Sequence, residues 1–498
     1  MRNDARRGRR KSSKSPSIRS RKHPQPKNRS ARPRTHSSAP CPPPRPARPA
    51  AKPKASAPVP PAVERERLAS QFKILANFTK DWDLFGLARQ TRWCRRLPKK
   101  LTPLLFLQST VLLLTRSSAS LLAWASLAGL FGNLSLSKQA LWERLRAPAV
   151  DFLAAVLARC LGQRLLDSAP ASVPEALKAF GRVLIQDSTC LSLPSRLARF
   201  FPGSSNQRGT RRGQLKIQCT LDLLAHRFVA FALSSFRRND QAAAHDILEV
   251  LRPGDLVLRD LGYFVPRSLR RIGEAGAFFL SRLRSDVRLE DPSTGRELDL
   301  LRALRRHGQL DCLVRLGCGG CSWTLRLVAL PLPPEVAAER RRKARRNRDR
   351  RCNPRERTLA LMGWSIFVTN VPARQMSART VAQVYGLRWR VETLFKAWKS
   401  GLHLERVPGG GRYALEAAIY GQLILISILA LLWPMDERAS GSFSLIRFVG
   451  LVADNLFALI SCVAQSDFRQ RLATQIQTHA RYDSRRRPNF MEIFAGLS

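Results

Sequence analysis

The reading turns on YGLRWRVETLFKAWK, Tyr385 to Lys399, in which one acid, Glu392, stands among several bases. On an α-helix each residue advances about 100°. With Glu392 at zero, Arg388, Lys396, Tyr385 and Lys399 all fall within about 40° of it, on one narrow polar stripe. Val384, Leu387, Val391, Leu394 and Trp398 gather between about −80° and −160°. The spacing therefore predicts a single helix that rests on a core and shows its acid to something else. Two roles are open to Glu392: a salt bridge to Arg388 and Lys396 one turn away, or a functional group.

The chain has 498 residues, 44% of them hydrophobic, enough for a substantial core. Its net charge of +50 points to a polyanionic partner, nucleic acid or an anionic membrane surface. Residues 1–54 carry 18 Lys and Arg against one acid, Asp4, so most of the excess lies elsewhere. Ten irregularly spaced cysteines do not form the framework of a small secreted domain, and the basic N-terminus is not followed by an apolar stretch. The expected location is cytoplasmic, in association with the nucleoid. The longest apolar run, Ala417 to Trp433, contains Gln422 and Ser427 and reads as a buried core helix, so no membrane partner is expected.

Composition divides the chain. Residues 1–62 are a Pro, Ser, Arg and Lys tail too poor in apolar side chains to order itself. Residues 63–175 read as a helical DNA-binding domain, with Ser135 or Ser137 as the N-cap of a short amphipathic helix. Residues 176–284 read as the first part of a mixed α/β core. Its strands fall over 181–189, 215–224, 227–234, 255–263 and 277–284, with helices over 241–251 and 265–276. Residues 285–360 read as a β-rich insertion, a hairpin followed by the basic run Glu339 to Arg351, whose arginines from Arg340 on suit DNA phosphates. Cys318 and Cys321 form an isolated CxxC at the hairpin turn, weak as a zinc signal. Residues 361–435 resume the core with a strand over 363–370, and 436–498 read as further helices.

Asp187 is expected to end the first strand and Asp260 the fourth. Each alone fits a turn or cap aspartate. Two neighbours at one sheet rim would concentrate like charge and demand a cation. Glu392, on a helix packed beside them, would complete an oxygen-rich site for Mg²⁺ or Mn²⁺.

The pattern Tyr385-(2)-Arg388-(3)-Glu392-(6)-Lys399 resembles the Y-(2)-R-(3)-E-(6)-K signature of DDE transposases of the insertion-sequence-four family. QDST at 186–189 and RDLGY at 259–263 resemble that family's two aspartate motifs, in the family's order. The resemblance implies a ribonuclease-H-like mixed-sheet catalytic core with a β-rich insertion between Asp260 and Glu392. It implies a two-metal mechanism held by Asp187, Asp260 and Glu392, acting on double-stranded DNA: terminal inverted repeats and target, paired by a homodimer. Tyr385, Arg388, Lys396 and Lys399 would contact DNA, and Trp364 resembles the strand tryptophan that holds a flipped base. A catalytically inactive, DNA-binding descendant of a transposase is the alternative, and would be expected to lack one acid.

Overall fold

A short buried strand, Leu256–Arg259, organises the molecule: all four of its side chains are buried, as expected of a strand covered on both faces. In the computed structural model the described residues are 82–96, 98–113, 115, 119–162, 173–205, 211–318, 321–346, 354–404, 408–409, 411–431, 443–461 and 466–481, with the isolated positions 65, 66, 68–70, 72, 493, 494, 496 and 497. The expected tail over 1–62 lies outside them, as do 347–351 of the basic run and the side chains of Cys318 and Cys321.

The sheet contains β1 (Val183–Leu193), β2 (Pro202–Ser205), β3 (Arg211–Asp222), β4 (Arg227–Ser235), β5 (Leu256–Arg259), β6 (Phe278–Arg282), β7 (Leu289–Glu290), β8 (Leu310–Cys318), β9 (Cys321–Pro331) and β10 (Trp364–Thr369). Its order is β2-β3-β1-β5-β6-β10-β9-β8-β7, with β4 also paired to β3. β1 runs antiparallel to β3 and parallel to β5, and β6 is parallel to β5. The hairpin β8–β9 of the anticipated insertion extends this same sheet, because β9 pairs with β10.

Helices cover both faces. The first five are α1 (Leu84–Gln90), α2 (Pro103–Leu113), α3 (Leu121–Gly132), α4 (Lys138–Arg144) and α5 (Ala147–Gly162). They share one continuous core with β1, β3 and the helices after β10, centred on stacked Trp93, Phe106, Phe152 and Trp124. Ser137 caps α4 by accepting from the Ala140 amide at 3.1 Å. α6 (Pro266–Glu274), α7 (Leu300–His307), α8 (Pro334–Arg345) and α9 (Glu356–Leu361) follow. Leu269 and Ile272 of α6 and Leu304 of α7 join a second core on the other face, with Leu184, Val257 and Val368.

After β10 come α10 (Ala378–Gly386), α11 (Trp389–Gly401), α12 (Arg412–Leu431), α13 (Leu445–Ser461) and α14 (Ser466–His479). Residues 412–430 are long and apolar enough to cross a membrane, but most of them are buried inside the protein. α12 lies so close to α2 that a Cβ on Gly421 would meet Thr110 Cγ2 at 2.5 Å.

Three expectations are corrected. Residues 385–399 are not one helix: α10 ends at Gly386, a weak helix former, and α11 begins at Trp389. Between them the amides of Leu387, Arg388, Arg390 and Val391 bond the carbonyls three residues back, a tightened turn. Residues 241–251 form turns and a short 3₁₀ helix, Asp246–Glu249. The carbonyl of Ala243 accepts from Gln186 Nε2, and that of Ala244 from Arg259 and Ser268, in place of helical amides. Finally, Asp187 does not end its strand, because β1 continues to Leu193.

Candidate active site

β5 is shorter than β1, and this difference creates the site. Their parallel pairing stops at Gln186 opposite Arg259, so Asp187 and Asp260 are the next residues on each side of the point where β5 ends. From Asp187 onward β1 keeps β3 as a neighbour and loses β5, so the carboxylate stands at an open edge with its strand still held. In β1, Ile185 and Leu191 face the core shared with α11, and period two puts Asp187 on that face. α11 brings Glu392 to the same place.

One guanidinium joins the three acids. Arg388 Nη1 donates to Asp187 Oδ2 at 2.8 Å, and Nη2 donates to Glu392 Oε1 at 2.7 Å. Nη2 also stands 3.8 Å from Asp260 Oδ1. Burial works against the charge of Arg388, but Tyr385, Asp260, Asp187 and Glu392 outweigh it and hold the guanidinium above its usual range. Burial pushes Asp187 up to about 6 against the pull of Arg388 and the Ser188 amide, with Asp260 and Glu392 adding to the rise.

The other expected residues divide. Tyr385 leaves the polar stripe: it is buried, its ring 4.9 Å from that of Phe367 and 5.9 Å from the Arg388 guanidinium carbon. Burial pushes its phenol above the ordinary range. Lys399 is half-buried and donates to the Cys190 carbonyl at 3.1 Å, three residues along β1 from Asp187. Lys396 is exposed. Trp364 begins β10 on the opposite face, packed beside Ile366 in the second core, with its indole N–H donated to the Gly308 carbonyl at 2.6 Å.

Beneath the acids, on the face away from α11, lies a polar layer that sequence reading missed. Asp240 Oδ1 accepts from Ser188 Oγ at 2.8 Å, Lys216 Nζ at 3.0 Å and Gln218 Nε2 at 3.2 Å, while Tyr263 donates to Gln218. Burial opposes the Asp240 charge, yet Lys216, Ser188 and Gln218 together hold its pKa below the ordinary value. Arg259 is fully buried and among the described residues donates to neutral groups, Ser268 Oγ at 2.9 Å, Gln186 Oε1 at 2.7 Å and the Ala244 carbonyl, while its Nε makes no hydrogen bond. Burial lowers its pKa to about 9. The available signal was adjacency: Gln186, Ser188 and Arg259 flank the two aspartates, and period two turns them to the opposite face.

Among the described residues no three His, Cys, Asp or Glu side chains are drawn together tightly enough to hold a metal ion. The three carboxylates nevertheless converge on one cation, and a donor set made only of carboxylate oxygen suits a hard divalent ion.

The family described as "Transposase DDE domain" matches residues 178–428, a span that contains all three acids. The chain is 27% identical over 367 residues to the transposase for insertion sequence element IS231F of Bacillus thuringiensis subsp. israelensis, covering 68% of this chain and 76% of that protein. It is 24% identical over 311 residues to the transposase for insertion sequence element IS1151 of Clostridium perfringens, covering 58% and 65%. Among solved structures, a piggyBac transposase synaptic complex with hairpin DNA aligns over 85% of this chain and 86% of that one, with 10% identity and a TM-score of 0.38.

Proposed function

This chain belongs to the transposase DDE-domain family, and we propose that it is the enzyme of an insertion sequence of the insertion-sequence-four type. It binds the terminal inverted repeats, pairs them as a homodimer, cleaves the DNA and transfers the strand to a target. The observation that carries this reading is the convergence of Asp187, Asp260 and Glu392, from three separate elements, on the single guanidinium of Arg388. The strand order supports a ribonuclease-H-like core: β4, β3 and β1 run antiparallel, then β5 and β6 continue parallel to β1.

Asp187, Asp260 and Glu392 would hold Mg²⁺ or Mn²⁺, two ions in the full site. Bound there, the metal supplies Lewis acidity for in-line attack of water or a 3′-hydroxyl on phosphorus. The chain's own residues do the rest. The fork of Arg388, which here bridges Asp187 and Glu392, matches a phosphate as well, since a phosphate can accept two parallel N–H bonds as a carboxylate does. Tyr385 fixes that fork from beneath. Lys399, anchored at the Cys190 carbonyl, and exposed Lys396 line the path of the backbone along α11. Trp364, its ring plane fixed by the Gly308 carbonyl, offers a surface on which an unstacked base rests.

In the proposed division of labour the helices over 63–175 bind the repeat. Parts 176–284 and 361–435 form the catalytic core around the insertion 285–360, the tail 1–62 adds non-specific affinity, and 436–498 supports α11. The test is to incubate the protein with duplexes of its own element termini and Mg²⁺ and resolve the products. Strand breaks at the element boundary are expected; intact duplexes in the presence of specific binding would contradict the reading.

A further inference from the structure

The charges of Asp260 and Arg282 both reach Tyr385, and a second arginine, Arg340, lies close enough to feel the charge of Arg282. Arg282 is the last residue of β6 and shares a face with its register partner Phe367, whose ring packs on Tyr385. Arg340 lies on α8. Among the described residues neither guanidinium has an ion-pair partner, and Arg340 Nη1 is buried with no hydrogen-bond partner.

Several other arginines of the chain are paired with acids, whereas fully buried Arg259 is held by neutral groups. Arg182 is paired with Asp255, Arg238 with Asp246, Arg326 with Asp311, and Arg388 with the three acids. A buried donor left unmade is costly, and a like charge beside it adds to that. Burial and the Arg282 charge together pull Arg340 below its usual range, the sign of a cation lacking its counter-ion. A phosphodiester would relieve both strains, since its two free oxygens can each take an N–H from a different fork. The place is suited to one. β6 is the strand next to β5, and Ser281, one residue before Arg282, is the register partner of Arg259, one residue before Asp260. A DNA strand that lies across the acids therefore crosses this pair as well.

We propose that Arg282 and Arg340 form a second phosphate site, which grips the DNA backbone a short distance from the scissile phosphate and sets the strand's register over the acids. The proposal rests on the reading that this edge of the sheet binds DNA for cleavage. It goes beyond that reading by adding a contact outside the Tyr385–Lys399 segment.

The test uses full-length protein and a series of element-terminus duplexes, each carrying one uncharged methylphosphonate in place of a phosphate near the cut. Binding is measured for wild type, Arg282→Gln, Arg340→Gln, the double variant and Arg340→Lys. In wild type, neutralising one particular phosphate should weaken binding several-fold. In the double variant the same substitution should have no effect, with the slope of log K against log salt smaller by about 1 to 2. Arg340→Lys should retain the sensitivity. The melting temperature of Arg340→Gln without DNA should equal or exceed that of wild type, because a repulsion is removed. A lower melting temperature would mean the arginine is a structural tie, and that would overturn the proposal. So would a double variant as sensitive as wild type to every neutralised phosphate. Because binding is the readout, a protein that binds these ends without cutting them would refute the cleavage reading and leave this test standing.

Discussion

Arg388 Nη1 lies 2.8 Å from Asp187 Oδ2, a contact between residues 201 positions apart in the chain. The same guanidinium holds Glu392 at 2.7 Å and faces Asp260 at 3.8 Å, so one cation keeps three like charges at one sheet edge. On the proposed function the salt-bridge and functional roles open to Glu392 would be two states of one site, arginine satisfying the acids in one and a divalent ion in the other.

Arg388→Gln should therefore destabilise the metal-free protein. Removing one partner from a largely buried charge network costs on the order of 3 kcal/mol. The melting temperature measured in chelator should fall by several degrees relative to wild type, and added Mg²⁺ should recover part of the difference. Equal melting temperatures in chelator would show that the acids do not depend on Arg388.

Arg259 ties the ends of β1 and β5 to α6 and to the turns after β4, through Gln186, Ser268 and Ala244. Arg259→Lys cannot span these acceptors, and it leaves buried groups unpaired at roughly 1–3 kcal/mol. Urea unfolding of Arg259→Lys, Gln186→Ala and the double variant should give a strongly non-additive cycle. Simple additivity would deny the coupling.

Burial, with Arg390 adding, pushes His226 down to about 3 in the folded chain. The unfolded value is about 6.5, so between these two pH values the unfolded state binds more protons. Its contribution to stability is full above about 6.5 and is lost as pH falls toward about 3. His226 has a positive φ of 49°, which Asn tolerates well. His226→Asn should therefore fold and show a flatter urea midpoint between pH 4 and 7. An unchanged pH profile would contradict the buried neutral imidazole.

Much of this was legible in sequence because periodicity reports faces. Val384, Leu387, Val391, Leu394 and Trp398 are all buried, as the helical spacing requires. β6 and β10 lie within segments that read as strands, β3 and β4 overlap theirs with β3 beginning earlier and β4 ending one residue later, and the hairpin β8–β9 lies within the expected insertion. What failed was set by partners distant in sequence. Alanine-rich 241–251 has high helix propensity, but Gln186 and Arg259 bind its carbonyls from other strands. Asp187 looked terminal because polar residues follow it, yet buried Leu191 and Leu193 carry the strand onward, and the short length of β5 makes the opening. The break at Leu387–Arg388 escaped the wheel, since a tightened turn keeps the apolar side buried while it takes Tyr385 out of the polar stripe. Arg282 and Arg340 carried no signal as a pair, because they lie 58 positions apart in sequence.

On the proposed function Asp187, Asp260 and Glu392 act as one metal-dependent site, and the protein's affinity for DNA comes from other residues. The most direct measurement compares Asp187→Asn, Asp260→Asn and Glu392→Gln with wild type, scoring binding and Mg²⁺-dependent cleavage of the same element-terminus duplex. All three variants should bind within a few-fold of wild type, since affinity rests on cations contacting phosphate, and all three should fail to cut. Cleavage at the wild-type rate by any one of them would contradict the account.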